Sequence, residues 1–183
     1  DNVFAFNYFF EIDGNPFWFD RNGSGNVLLR NEAYDSHSLF FNESRCVRNW
    51  AYENIGVGAG GSGFESANYN TGHTEDARYI NNVLYNCNRG FFIDKSWHDE
   101  VRNNIIYKTG NNNVCMRFTA TALSQGPHIF KNNLWFQEGK ANTFNYLGTD
   151  VNHDIFAAGV GETDGLTVNP QFTDVGAYDF TLS

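Results

Sequence analysis

The sequence predicts an all-β protein built as a parallel β-helix of about six to seven coils, in which the chain winds repeatedly around one core. Three observations predict this fold class: a recurring motif led by asparagine, a second apolar run after each copy, and a shortage of helix-forming residues. The 183 residues include 26 Asn and 18 Phe, whereas Leu, Lys and Glu, which favour helices, are scarce. Asn is also depleted in ordinary strands. The 26 Asn residues must therefore occupy turns, or positions where their side chains find regular hydrogen-bond partners.

The motif consists of an apolar or basic lead-in, one or two Asn, and two or three mostly apolar residues. Its six copies span 3–9, 27–34, 47–52, 79–85, 101–107 and 129–135, and their last Asn residues are Asn7, Asn31, Asn49, Asn82, Asn104 and Asn133. Recurrence of one motif along a whole chain is typical of solenoids. Stacked coils lie about 4.8 Å apart, so equivalent amides would form a ladder of hydrogen bonds.

A second apolar run follows each copy of the motif. These runs are Phe17–Phe19, Leu39–Phe41, Gly63–Phe64, Phe91–Ile93, Val114–Met116 and Thr143–Phe144. The pattern predicts two strands per coil, joined by turns too short and polar to hold helices. An antiparallel sandwich or jelly roll is the alternative architecture, since it also has many short strands.

We expect residues 1–183 to form a single domain with local insertions where the repeat lengthens. The glycine run Ile55–Gly63 and the segment 66–77 are predicted to be projecting loops, and residues 119–127 form another insertion. A short helix is predicted at 150–158, capped by Asp150. Residues 166–183 are expected to form a terminal coil.

Several of these segments carry a resemblance to a known family. The Asn-Asn-x-x-Tyr turn at 81–85, the strand 90–93, and the closing segments 168–174 and 178–182 resemble right-handed parallel β-helix proteins of the pectate-lyase-like superfamily. The resemblance implies a right-handed solenoid and a carbohydrate-active function. That superfamily includes polysaccharide lyases, glycoside hydrolases and epimerases, together with phage tailspikes and adhesins, so the fold alone leaves the reaction open.

The composition limits the kinds of partner that the protein can bind. The net charge is -9 and the pI is about 4.8, which argues against nucleic acid as a partner because phosphate neutralisation needs basic residues. No stretch reaches the roughly 20 apolar residues of a membrane-spanning helix. With no Met at its start, we expect the chain to be processed or cut from a longer one. We therefore expect a secreted or cell-surface protein that is a monomer or part of a larger multidomain chain.

Polar residues that follow the second apolar run of each coil would stack into one column. The column comprises Asp20, Arg21, Asn42, Glu43, Glu65, Ser66, Asp94, Lys95, Arg117, Asn145 and Tyr146. The predicted catalytic residues are Lys95, Arg117, Asp94 and Glu65. We expect Arg21, Trp97, His98 and Tyr146 to bind substrate.

Three functions fit this column. In β-elimination on an acidic polysaccharide, Lys95 or Arg117 would be the base and the other would stabilise charge, while Ca²⁺ would bind among Asp20, Glu43, Glu65 and Asp94, which offer hard oxygen ligands. The resemblance supports this mechanism, because several lyases of the superfamily use a Lys or Arg with calcium. Glycoside hydrolysis would instead use Glu65 and Asp94 as paired carboxylates. A non-catalytic stalk or adhesin needs no site at all, and the charges would then form exposed pairs.

Overall fold

The protein is a parallel β-solenoid of about six turns, described here from a computed structural model that covers residues 2–68, 72–108, 114–141, 143–174, 177 and 179–182. Each full turn contributes one strand to each of three sheets. The strands within each sheet pair in parallel and in register, apart from one antiparallel strand at the C-terminal edge. The fold class is therefore confirmed, and the antiparallel sandwich is excluded.

The three sheets have the following strands. Sheet A consists of Val3–Ala5, Val27–Leu29, Trp50–Tyr52, Arg78–Ile80, Glu100–Arg102 and Ile129–Lys131. Sheet B consists of Tyr8–Phe10, Glu32–Tyr34, Ile55–Val57, Val83–Tyr85, Ile105–Lys108 and Leu134–Gln137. Sheet C consists of Phe17–Phe19, Phe40–Glu43, Ser62–Ala67, Arg89–Ile93, Met116–Phe118 and Phe144–Tyr146, with Thr149–Val151 added antiparallel at its edge.

The remaining elements lie outside these sheets. Thr74–Glu75 and Ser96–Trp97 form a short parallel pair between sheets C and A, and Phe172–Asp174 pairs antiparallel with Asp179–Leu182 near the C-terminus. The helices are Ala120–Ser124 and His153–Val160. Neither is long and apolar enough to cross a membrane.

Each coil has three strands where the sequence pattern predicted two, because the Asn-led motif contains a sharp turn. The residue before each ladder Asn has a positive φ: Phe6, Arg30, Glu53, Asn81, Asn103 and Asn132 lie between 52° and 58°. This left-handed conformation is best tolerated by Gly and Asn. It splits the motif into a strand of sheet A and a strand of sheet B, and it explains the Asn-Asn pairs: the first Asn turns the chain and the second forms the ladder.

The ladder at this corner, which we call the A–B corner, consists of Asn7, Asn31, Asn54, Asn82, Asn104 and Asn133. Each Nδ2 donates to the Oδ1 of the next Asn at 2.8–3.0 Å. The third rung is therefore Asn54, and the predicted alignment on Asn49 was wrong. Asn49 lies at the C–A corner, where it accepts from Nδ2 of Asn26 at 3.0 Å. Asn54 lies five residues after Asn49, just beyond the predicted copy 47–52, and only the corner at Asn54 belongs to the main ladder.

The glycine run is a loop only in part, since residues 58–61 form the turn between sheets B and C. Ile55–Val57 is a strand of sheet B and Gly63 lies inside a strand of sheet C. A Cβ on Gly56 would approach side-chain carbons of Leu39 and Leu84 to 2.9 Å, and one on Gly63 would approach Leu84 to 2.6 Å. These glycines are needed because neighbouring leucines crowd the backbone.

Aromatic rings fill the interior. Rings of successive coils contact each other, for example Phe64 and Phe91 with centroids 5.3 Å apart. The helix His153–Val160 begins after Asn152, whose side chain accepts from the backbone N–H of Ile155, rather than at Asp150. Its Phe156 stacks on Phe144 at 4.4 Å and closes the core at that end. The three cysteines are buried free thiols.

Candidate functional site

The outer face of sheet C carries one side chain from each coil in a continuous row, which we call the sheet C row. Its members pair directly across adjacent strands: Trp18, Phe41, Glu65, Phe92, Arg117 and Asn145. Successive side chains of a strand alternate between faces, and their neighbours Phe40, Phe64 and Phe91 lie in the core. The row therefore points outward, and it combines rings, a carboxylate and a guanidinium.

Trp18 and Arg117 are the exposed members of the row, whereas Phe41, Glu65 and Phe92 between them are buried. Trp18 is 57% exposed and stacks on Phe41 with ring planes 12° apart and centroids at 5.9 Å. Arg117 is also exposed, and its guanidinium lies 5.2 Å from the centroid of Phe92. Arg89 approaches the same ring at 4.8 Å. Phe92 thus contacts two cations.

Acidic side chains gather near the Trp18 end. The indole Nε1 of Trp18 donates to Oε2 of Glu43 at 3.0 Å, and Glu43 itself is buried. Burial raises the pKa of Glu43, and the nearby charges of Asp20 and Glu65 raise it further, against the lowering effect of the Trp18 hydrogen bond. The face is therefore acidic at its N-terminal end and basic towards Arg117.

The predicted catalytic residues occupy different positions on this face. Glu65 and Arg117 belong to the sheet C row and are separated by Phe92. Asp94 follows the strand Arg89–Ile93 and accepts from Oγ1 of Thr119 at 2.6 Å. Lys95 lies on the next turn and donates from Nζ to the carbonyl of Asn68 at 3.1 Å. Glu65 and Asp94 are thus offset along their strands and are not directly opposite each other.

The predicted substrate-binding residues are dispersed. Arg21 is exposed beside Asp20, with Nε 3.7 Å from Oδ2. Tyr146 stacks on Phe118 and contacts Phe156, so its ring lies on the core side of sheet C. Trp97 and His98 lie on the turn between sheets C and A, away from the sheet C row.

Two features of this face were not predicted from the sequence. As part of the apolar run Phe17–Phe19, Trp18 was expected to lie in the core or in a stacked ladder. It does stack on Phe41, but the period-two alternation of a strand places it outward between two inward rings. Arg89 precedes the apolar run, so the run gives no signal for it. Strand alternation within the second apolar runs is the signal that places Trp18, Phe41 and Phe92 on one face.

The predicted Ca²⁺ ligands are Asp20, Glu43, Glu65 and Asp94. Within the described residues, only one group of at least three His, Cys, Asp or Glu side chains has its ligand atoms within 4.8 Å of one another, and it consists of Glu75, Asp76 and His98. The predicted ligands are therefore more widely spaced in this structure than that group. Calcium at Asp20, Glu43, Glu65 and Asp94 stays a prediction.

No protein family, curated protein or solved structure matches this chain. The function must therefore be argued from the site itself.

Proposed function

We propose that the outer face of sheet C binds an acidic polysaccharide and cleaves it by β-elimination. The observation that carries this proposal is the exposed Arg117 beside Arg89 on Phe92, in the same outward row as the exposed ring of Trp18. We further propose that the protein is a right-handed β-helix of the pectate-lyase-like superfamily and is secreted or displayed at the cell surface, where such polymers occur.

The row suits an extended polymer. It runs along the solenoid axis, and Trp18 and Arg117 are four strand spacings of about 4.8 Å apart, or about 19 Å. Flat apolar faces such as the Trp18 ring can pack against sugar rings, and a guanidinium can bind a uronate carboxylate through two parallel hydrogen bonds. A chain laid along the row would meet both kinds of contact.

Elimination needs a group that binds the substrate carboxylate and a base. The base removes the proton from the carbon next to the carboxylate, a carbon–carbon double bond forms, and the bond to the departing glycosidic oxygen breaks. That oxygen then takes up a proton. Arginine remains protonated in proteins whereas lysine can give up its proton, so we assign Arg117 to the carboxylate and Lys95 to the base.

Calcium would complement the acidic end of the face. Asp20 and Glu65 lie close enough to Glu43 for their charges to raise its pKa. A bound cation would offset the repulsion among the three carboxylates. Carboxylate oxygens are the ligands that Ca²⁺ prefers. Among the described residues, no three of Asp20, Glu43, Glu65 and Asp94 have their ligand atoms within 4.8 Å of one another, so Ca²⁺ would require these side chains to move closer together.

Hydrolysis is the second candidate, and one observation favours it. Burial and two neighbouring carboxylates raise the pKa of Glu43, as required of a carboxylic acid that protonates a leaving group. Asp20 or Glu65 would be the second carboxylate of the pair. In this alternative Glu43 replaces Asp94 in the pair expected from the sequence.

Incubation with polygalacturonate and alginate, with and without Ca²⁺, separates these functions. Elimination produces a conjugated product that absorbs ultraviolet light, and we expect this signal with wild type and its loss in Arg117→Gln. New reducing ends without ultraviolet absorbance would instead establish hydrolysis. If neither product forms and neither polymer retards the protein in a gel, the protein is a structural stalk and the proposal fails.

A further inference from the structure

The turn between sheets C and A holds a second cluster of reactive side chains, separate from the sheet C row. The Nδ1 atom of His98 is 3.8 Å from Oε1 of Glu75 and 3.9 Å from Oδ1 of Asp76. On the other side of Glu75, Nε2 of His73 is 3.7 Å from Oε2. The Glu75 carboxylate therefore lies between two imidazoles.

The solenoid itself brings these residues together. Thr74–Glu75 pairs in register with Ser96–Trp97, so Asp76 and His98 follow at equivalent positions of adjacent coils. Both have a left-handed backbone, with φ of 53° and 56°, and the N–H of Asp76 donates to the carbonyl of Trp97 at 2.9 Å. The two side chains are thus presented by the same kind of turn, one coil apart.

Packing restrains the neighbouring side chains as well. The ring of His73 stacks on Trp97 with centroids 3.9 Å apart and planes 8° apart. Glu75 bridges in parallel to Val47 of the preceding coil. His73, Glu75 and Asp76 are partly buried, and His98 is exposed. The cluster is therefore accessible to an ion, although its side chains are held by neighbours on both sides.

The distances suit a shared metal ion better than direct hydrogen bonds. Nitrogen–oxygen hydrogen bonds measure about 2.7–3.2 Å, and the His98 contacts are longer. In a tetrahedral zinc site with bonds of about 2.1 Å, neighbouring ligand atoms are about 3.4 Å apart. Small side-chain movements would bring the three ligand atoms to that spacing. One imidazole with two carboxylates favours zinc and similar transition metals over calcium, which prefers all-oxygen ligands.

We propose that Glu75, Asp76 and His98 form a binding site for a divalent transition metal of the zinc type. The bound metal ion would link two adjacent coils. Glu75 and Asp76 belong to one coil and His98 to the next, so the ion bridges them. The contact of His73 with the second oxygen of Glu75 orients that carboxylate. This site does not depend on the polysaccharide proposal, since its expected effects are on metal binding and thermal stability.

The test uses tag-free protein treated with a chelator, then titrated with Zn²⁺ by calorimetry and with Co²⁺ by visible absorption. Asp76→Asn and His98→Asn are the variants, because Asn already occupies equivalent left-handed turns at Asn81, Asn103 and Asn132. His37→Asn is the matched control: it is an exposed histidine that contacts Asn15 and lies outside the cluster.

We expect one Zn²⁺ per chain, at least about tenfold weaker binding in His98→Asn and Asp76→Asn, and unchanged binding in His37→Asn. Zinc at about 100 times its Kd should raise Tm by about 5 °C or more in wild type, whereas Ca²⁺ at that concentration should not. Absence of zinc binding in wild type would overturn the proposal. Equal zinc affinity in wild type and a folded His98→Asn variant would do the same.

Discussion

The A–B corner and the C–A corner follow the same plan, but only the first is regular. At the A–B corner all six coils place an Asn in the ladder, and the last, Asn133, donates to Oε1 of Glu162. At the C–A corner the equivalent positions begin with Asn2, Asn26 and Asn49. They continue as Ala77, Asp99 and His128, where the backbone N–H of Ala77 donates to Asp99 and that of Asp99 donates to His128.

The difference separates the regular ladder from the surfaces for which we propose functions. The repeated amides form hydrogen bonds with buried backbone groups and fix the register of every coil. Another residue at one of these positions would leave buried polar groups unpaired. The C–A corner departs from the ladder at Ala77 and Asp99, and the residues immediately before them, Asp76 and His98, are two of the proposed metal ligands. The irregular corner lies beside the proposed functional surfaces, whereas the regular corner is structural.

Breaking the complete ladder should have the largest effect on stability. Asn82 accepts from the backbone N–H and Nδ2 of Asn54, and its own Nδ2 donates to Ala51 and Asn104, all within 3.0 Å. Asn82→Ala leaves these buried partners unsatisfied, which should lower the free energy of unfolding by about 4 kcal/mol or more. Urea denaturation measures this change.

Its control is Asn81→Gly. Asn81 is exposed, has a φ of 58° and lies next to the ladder residue, and glycine adopts that conformation readily. We expect a change of about 1 kcal/mol or less. Similar losses in Asn82→Ala and Asn81→Gly would show that the ladder adds no special stability.

Replacing Asp99 at the C–A corner should have the next largest effect on stability. Burial raises the pKa of Asp99 to about 7, against the lowering effect of hydrogen bonds from Ser96 and Ala77. Its pKa in the unfolded chain is about 3.9, so the folded state favours the protonated acid. Protonation of Asp99 therefore contributes to the free energy of unfolding. The contribution is complete below a pH of about 4 and is lost as the pH rises towards about 7.

Asp99→Asn keeps the acceptor for Ala77 and cannot ionise. Relative to this variant, wild type should therefore lose up to about 4 kcal/mol of unfolding free energy between pH 4 and 8, at about 1.4 kcal/mol for each unit of pKa difference. Denaturation at several pH values measures it, with the exposed Asp35→Asn as the control. Parallel pH curves for wild type and Asp99→Asn would contradict the buried, protonated acid.

The sequence predicted the solenoid because its main signal is periodic and local. An Asn at each A–B corner and Phe in the core follow from repetition and from the burial of apolar rings. The register of the third coil could not be predicted, since Asn49 and Asn54 both fit the motif and only pairing across coils distinguishes them. The third sheet was missed because left-handed residues such as Phe6 and Arg30 carry no sequence signal for that conformation.

The candidate site was less predictable than the fold. Glu65 and Arg117 were expected on one face and lie in one row, but a shift of one residue moves a side chain from solvent to core. Tyr146 lies on the core side for this reason. The cluster of Glu75, Asp76 and His98 depends on pairing between two short strands, and two-residue strands leave no recognisable pattern in a sequence.

Two exposed arginines test most directly whether an acidic polysaccharide binds on the sheet C row, as proposed, and not at the A–B corner. Arg117 lies on the row, whereas Arg30 lies at the A–B corner beside Glu53, with Nε 2.5 Å from Oε2. Calorimetric titration with oligogalacturonate should give at least about tenfold weaker binding for Arg117→Gln, because a charged hydrogen bond contributes about 1.5–3 kcal/mol. Arg30→Gln should bind as wild type does. Equal affinities for the two variants would contradict the claim.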